Sequence, residues 1–135
     1  MSEAAKRGMA SHIRYLGAKN RDGIAAIIKD CDVGVIPNRK SAFAEINTPT
    51  RIFECLALGK PVIAPRTGGI CDYFADDDLI FFEVGNADDL ARQLQFVYSV
   101  PGEAEKIVLR GQDIYRAHDW SHQRASLIEA VSRLV

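Results

Sequence analysis

Apolar positions recur along this chain at helical and strand periods in alternation. Asp22–Lys29 reads as a helix with Ile24, Ile27 and Ile28 on one side, and Asp32–Ile36 as a buried-type strand ending at Pro37. Ile52, Cys55, Leu56 and Gly59 then fall at i, i+3, i+4 and i+7, and Pro61–Pro65 follows as a short apolar strand. Further on, Asp76–Asp78 makes a polar turn before the strand Leu79–Glu83. Asn86 caps a helix striped by Leu90, Leu94 and Val97. Pro101 opens another, striped by Ala104, Ile107, Val108, Gly111 and Ile114. A last helix starts near Asp119 or Ser121 and carries Leu127, Ile128, Val131 and Leu134. At the other end, Met1–Ser11 reads as a helix tail or frayed end, and Ile13–Leu16 as a short strand closed by Gly17. Strands alternating with helices predict an α/β fold: one parallel sheet with helices on both faces.

In such sheets ligands sit beyond the carboxyl ends of the strands. The loops after Ile36 and after Pro65, and the helix start at Pro49, belong to that edge. The segment Asn38–Asn47 is rich in Arg, Lys, Ser and Asn and reads as a loop there. Arg39 and Lys40 within it are either ligand contacts or an ordinary solvated basic loop.

The run from Asn47 to Gly69, NTPTRIFECLALGKPVIAPRTGG, holds the densest chemistry. Thr48 suits the helix cap and Pro49 the first helical position, while Gly59 suits a left-handed C-terminal cap with Pro61 just beyond it. Thr50, Arg51, Glu54 and Leu58 lie off the apolar stripe. After the strand, Thr67, Gly68 and Gly69 turn the chain into another short helix. Helix N-terminal amides attract anions, and glycines allow close backbone approach. A carboxylate such as Glu54 accepts two hydroxyl hydrogen bonds, as from a ribose diol, and Arg51 can pair with it or with a phosphate. An ordinary surface Arg–Glu pair is the competing reading.

The 135 residues suffice for one domain with a core of its own. Hydrophobic content of 47% and charged content of 26% are ordinary for a globular protein. The net charge of −1 gives no broad attraction to nucleic acid. No apolar run approaches the length of a membrane span, and the polar N-terminus does not resemble a signal peptide. Cys31, Cys55 and Cys71 are odd in number and scattered, which fits small buried apolar residues of a cytoplasmic protein, not a disulfide set or metal site. His118 and His122 have the i, i+4 spacing of a metal pair, but Asp119, Trp120 and Ser121 between them look like a helix start, so no metal site is expected. No Ser/His/Asp or Cys/His nucleophile arrangement emerges.

The stretch PTRIFECLALGKPVIAPRTGG strongly resembles the donor-binding segment of retaining glycosyltransferases of group 1, the family 4 class with the GT-B architecture of two facing Rossmann-like domains. The family pattern is a Pro, a basic residue, an aromatic or aliphatic residue, Glu-x-x-Ala-x-Gly-x-Pro-Val and a Gly-Gly turn. Arg51, Phe53, Glu54, Ala57, Gly59, Pro61, Val62, Gly68 and Gly69 match it, and Trp120 matches the family's aromatic at the entry to its last helix. The order of elements fits the family's C-terminal domain over roughly residues 5–135. The resemblance implies Glu54 on the ribose, Arg51 near the diphosphate, and the amides near Thr50 with Gly68 and Gly69 around phosphate or sugar. It implies no metal and no cofactor beyond the nucleotide sugar itself.

Two departures stand out. The family's donor domain opens with two further βα units, and none precedes Ile13, so residues 1–135 are expected to form a single partial domain. The missing N-terminal domain, or a partner chain, would complete it. The family also pairs two glutamates with seven residues between them. Glu54 matches the second, the first falls at Ile46, and Glu45 is one residue early, so no catalytic residue is assigned. The expected full enzyme moves a hexose from a nucleoside diphosphate sugar to a hydroxyl acceptor with retention. The alternatives are a non-catalytic subunit of a split glycosyltransferase and a fragment of a sugar-nucleotide epimerase. The expected location is cytoplasmic, with the full enzyme at the membrane periphery left open. Uncovered strand edges and helix faces predict self-association of the isolated chain.

Overall fold

A computed structural model describes residues 2–134. Met1, at the head of the expected N-terminal helix tail, lies outside them. Three strands, β1 (Gly34–Val35), β2 (Val62–Pro65) and β3 (Ile80–Phe82), form one parallel sheet in the order β1-β2-β3. Gly34 stands opposite Val62, and Ile63 opposite Ile80. The helices are α1 (Ser2–Lys6), α2 (Arg21–Asp30), α3 (Ala42–Ile46), α4 (Thr50–Ala57), α5 (Gly68–Cys71), α6 (Ala87–Ser99), α7 (Pro101–Ala117) and α8 (Trp120–Ser132).

Alternation along β2 and β3 divides the core between the two sheet faces. Val62, Ala64 and Phe81 pack with Ile28, Ile52, Leu56 and Ile70 from the layer of α2, α4 and α5, and with Phe74 just after α5. Ile63, Ile80 and Phe82 face the other way, against Leu90, Phe96, Val97 and Ala104 of α6 and α7. Every residue of β2 is buried, as expected for the central strand of a parallel sheet covered on both faces. The α/β class with helices on both faces is therefore observed.

Several helix boundaries follow side-chain caps. Asn20, Asn86 and Asp119 each accept the backbone N–H three residues on, at the starts of α2, α6 and α8. Gly59 has φ of +70° and closes α4, a left-handed position where a Cβ would be strained.

Other expectations need correction. Ile13–Leu16 is not a strand: it runs without sheet partners, with Tyr15 exposed. A strand exists only where a neighbour completes its hydrogen bonds, and none lies there. β1 is shorter than the expected Asp32–Ile36, and β3 shorter than Leu79–Glu83. The segment Asn38–Asn47 is not all loop. Ser41 Oγ accepts the Ala44 amide at 3.0 Å and starts α3 inside it. Leu94 is exposed, although the helix that carries it forms as expected. Of the three cysteines expected in the interior, Cys55 is buried in the core, but Cys31, at the end of α2, and Cys71, on the outer side of α5, are exposed. On α8, Leu127, Ile128 and Val131 are more than half exposed, so its apolar stripe meets no layer of this unit.

Among the described residues, β1 pairs with β2 on one side only. A groove of about 230 Å³ runs beside it, lined by Ile27, Ile28, Cys31, Val35 and Cys55, with Arg51 and Lys60 also on its wall.

Candidate functional site

The carboxyl edge of the sheet gathers the segments after β1, β2 and β3 and the start of α4. Pro49 is extended (ψ 122°) and stands before α4 as its cap residue, so the helix begins one position later than the sequence suggests. Thr48 does not cap it. Its hydroxyl donates instead to the Gly69 carbonyl at 2.6 Å, tying the α4 entry to the turn after β2. The start of α4 thus has no side-chain cap, and Thr50 is exposed there.

Arg51 and Glu54 are brought together as the i, i+3 spacing predicts. Arg51 Nε lies 2.9 Å from Glu54 Oε2, with the two side chains 48% and 43% exposed. Glu54 Oε2 is shielded from water and receives no directed hydrogen bond, so the contact is ionic and bent. Beneath the pair, burial pushes the Cys55 thiol up, against the lowering effect of Arg51. A neutral buried thiol is a packing residue here and not a nucleophile.

The Gly68–Gly69 turn is filled from within the chain. Glu45 Oε1 accepts the Gly68 amide at 2.9 Å. A Cβ on Gly69 would sit 2.6 Å from both the carbonyl carbon and the oxygen of Ile46. Gly69 therefore serves close backbone packing of α5 on α3. Thr67, just before it, is buried, and its hydroxyl has no partner among the described residues.

Arg39 and Lys40 are exposed. Among the described residues, neither forms an ion pair. Arg39 borders two open clefts. One, of about 170 Å³, is walled by Pro37, Phe82, Asn86 and Leu90. The other, of about 320 Å³, is walled by Ser41, Phe43, Ala44, Asn47 and Pro49. Sequence reasoning placed Arg39 at this edge but did not separate it from a solvated loop. Its cue is position directly after a buried strand that ends in Ile36-Pro37.

Other side chains are accounted for locally. His118 ends α7, with its Nδ1 2.9 Å from the Ile114 carbonyl, while His122 lies in α8 with its Nδ1 2.9 Å from Asp119 Oδ1. The hydrogen bonds of His122 hold the Asp119 carboxyl below its usual range. Arg66 donates to Asp76, which raises its already high pKa, and lies 4.6 Å over the Phe81 ring. Among the described residues, no cluster of three His, Cys, Asp or Glu side chains is placed to hold a metal. No helix among them is long and apolar enough to cross a membrane.

A parallel sheet with a motif-bearing helix at its carboxyl edge can be compared directly with known proteins. The family model described as "Glycosyl transferase-like" matches residues 3–130. The chain belongs to this glycosyltransferase family. An uncharacterized glycosyltransferase of Methanocaldococcus jannaschii is 33% identical over 85 residues, covering 62% of this chain and 23% of that protein. Among solved structures, sucrose-phosphate synthase from Thermosynechococcus elongatus matches with a TM-score of 0.81 at 18% identity, over 99% of this chain and 34% of its own. Anabaena HepE, solved in complex with UDP-glucose, matches with a TM-score of 0.84 at 18% identity, over 98% and 35%. The C-terminal domain of a group 1 glycosyltransferase from Francisella tularensis matches with a TM-score of 0.65 at 20% identity, over 87% and 58%. The GT-B group 1 resemblance of the sequence thus holds at the level of fold and family. The glycosyltransferase chain described here spans about a quarter of the M. jannaschii relative and about a third of the first two solved structures.

Proposed function

We propose that residues 1–135 form a partial nucleotide-sugar-binding domain, the donor side of a longer glycosyltransferase. In this reading the full enzyme transfers a hexose from a nucleoside diphosphate sugar to a hydroxyl acceptor with retention. The observation that carries it is the convergence of Arg39 and the uncapped start of α4 at the carboxyl edge of the parallel sheet, in a chain of this family. The complex of HepE with UDP-glucose supports the choice of ligand class.

In this reading, Glu54 accepts the ribose diol, and Arg51 and Arg39 offset diphosphate charge. The amide of Thr50 adds a dipole contact at the start of α4. Cations and amides stabilise the departing diphosphate electrostatically, which is the main demand of the reaction on this side of the cleft. No metal or further cofactor is assigned a role. Gly68 and Gly69 enter as the seat of α3, since the Gly68 amide is already taken by Glu45.

Calorimetric titration of the full-length protein with UDP, GDP and ADP tests the assignment. One of them should bind saturably, and Arg39→Ala should weaken that binding about tenfold, the worth of one charged hydrogen bond to phosphate. Absence of binding to all three nucleotides, or unchanged affinity in Arg39→Ala, would refute the donor-site reading built on this edge.

A further inference from the structure

We propose that Glu45 is a positioning residue: its carboxylate pins α3 to the Gly68–Gly69 turn and so holds one wall of the Arg39 cleft in place. The functional half of this inference rests on the donor-site reading above.

α3 has five residues, too few to hold a helical conformation unaided. Its start is fixed by the Ser41 cap. Its end is fixed by contacts that reach across more than twenty residues of sequence. Glu45 Oε1 accepts the Gly68 amide at 2.9 Å. The Ile46 carbonyl lies so close to Gly69 that a Cβ there would come within 2.6 Å of it. Just beyond the helix, Thr48 donates its hydroxyl to the Gly69 carbonyl at 2.6 Å. Of these ties, the Glu45 contact is the one made by a removable side chain of α3 itself. The wall so held carries Phe43 and Ala44, which line the cleft of about 320 Å³ together with Arg39. Releasing α3 removes that wall and frees the Gly68 amide at once.

A carboxylate that pins can be replaced by any acceptor of the same length. A carboxylate that contacts the ligand through its charge cannot. Glu45→Gln and Glu45→Ala in the full-length protein separate the two. Hydrogen exchange of the Gly68 amide and calorimetric UDP affinity are the readouts. In Glu45→Ala the Gly68 amide should exchange about tenfold faster, the factor that losing one hydrogen bond of ordinary net strength gives, and UDP should bind more weakly. Glu45→Gln should stay within about threefold of the parent on both readouts, because its carbonyl still accepts the amide proton. Two results overturn the proposal. One is unchanged Gly68 exchange in Glu45→Ala. The other is a Gln variant that loses UDP affinity as fully as Ala while keeping the amide protected. If the parent protein binds none of UDP, GDP and ADP, the donor reading fails; if GDP or ADP binds in place of UDP, that nucleotide serves as the affinity readout; in every case the exchange measurement decides whether the pin exists.

Discussion

Replacing Glu54 with Gln separates a ligand contact from a surface ion pair. The pair with Arg51 is close to half exposed on both sides, and its geometry is bent. An exposed pair of this kind contributes about 0.2–1 kcal/mol, and salt screens it further. Loss of the charge should therefore lower stability by under about 1 kcal/mol, a shift of a few degrees in Tm for a chain of this size. Glu54 lies off the buried stripe of Ile52, Cys55 and Leu56, so the core is left untouched. If the carboxylate receives a ribose diol, the change is of another order. Hydrogen bonds to a charged group are worth about 1.5–3 kcal/mol, so nucleoside diphosphate affinity should fall roughly 10- to 100-fold. Calorimetric titration of the full-length protein with UDP reads the binding, and a thermal melt of the same sample reads the fold. Arg51→Ala is the control: if the pair is purely structural, both variants lose the same small stability and neither alters affinity. Unchanged affinity in Glu54→Gln with the melt intact would refute the role given to this residue.

Two further outcomes follow from local geometry. Gly69→Ala forces a Cβ to within 2.6 Å of the Ile46 backbone, where no flexible side chain can yield, so the midpoint of urea denaturation should fall by the equivalent of about 1–3 kcal/mol. Asp89 is held below the usual carboxylate range by the Glu83 amide it accepts, with Gln93 and Arg92 adding to this. A lowered folded-state value means that its stabilisation is present above the ordinary Asp value, about 3.9, and is lost as pH falls through the folded value. Melts of Asp89→Asn across that acid range should show a flatter dependence on pH than the parent, and an equal slope would refute the contribution.

What the sequence reveals here depends on the range of the interaction. Asn86, Pro101 and Asp119 mark helix starts by local chemistry, and α6, α7 and α8 begin where those residues predict. The pairing of Arg51 with Glu54 is legible for the same reason, since helical spacing alone places them together. Ile13–Leu16 has an acceptable strand composition but lacks a neighbouring ladder, which composition cannot supply. Thr48 has the chemistry of a cap, yet the Gly69 carbonyl, brought near by the fold, takes its hydroxyl. α3 escaped detection because five residues leave no periodic signal, and without α3 the contact of Glu45 with Gly68 cannot be anticipated. Arg39 is placed at the edge by its position after a buried strand, and only the folded clefts beside it set it apart from a solvated loop.

The anchoring of α4 limits how this unit can move. Just ahead of its start, the Thr48 hydroxyl is tied to the Gly69 carbonyl. At its end, the Gln112 amide of α7 donates to the Leu56 carbonyl at 2.9 Å. Gly111 beside it seats α7 so closely that a Cβ would lie 2.6 Å from the Asp78 carbonyl. A helix tethered at both ends cannot act as a flap over its own ligand edge. Any displacement of this edge must instead carry α4, the sheet and α7 together as one block. Flexure then falls to segments outside this block, such as the connection at His118 that leads into the loosely packed α8.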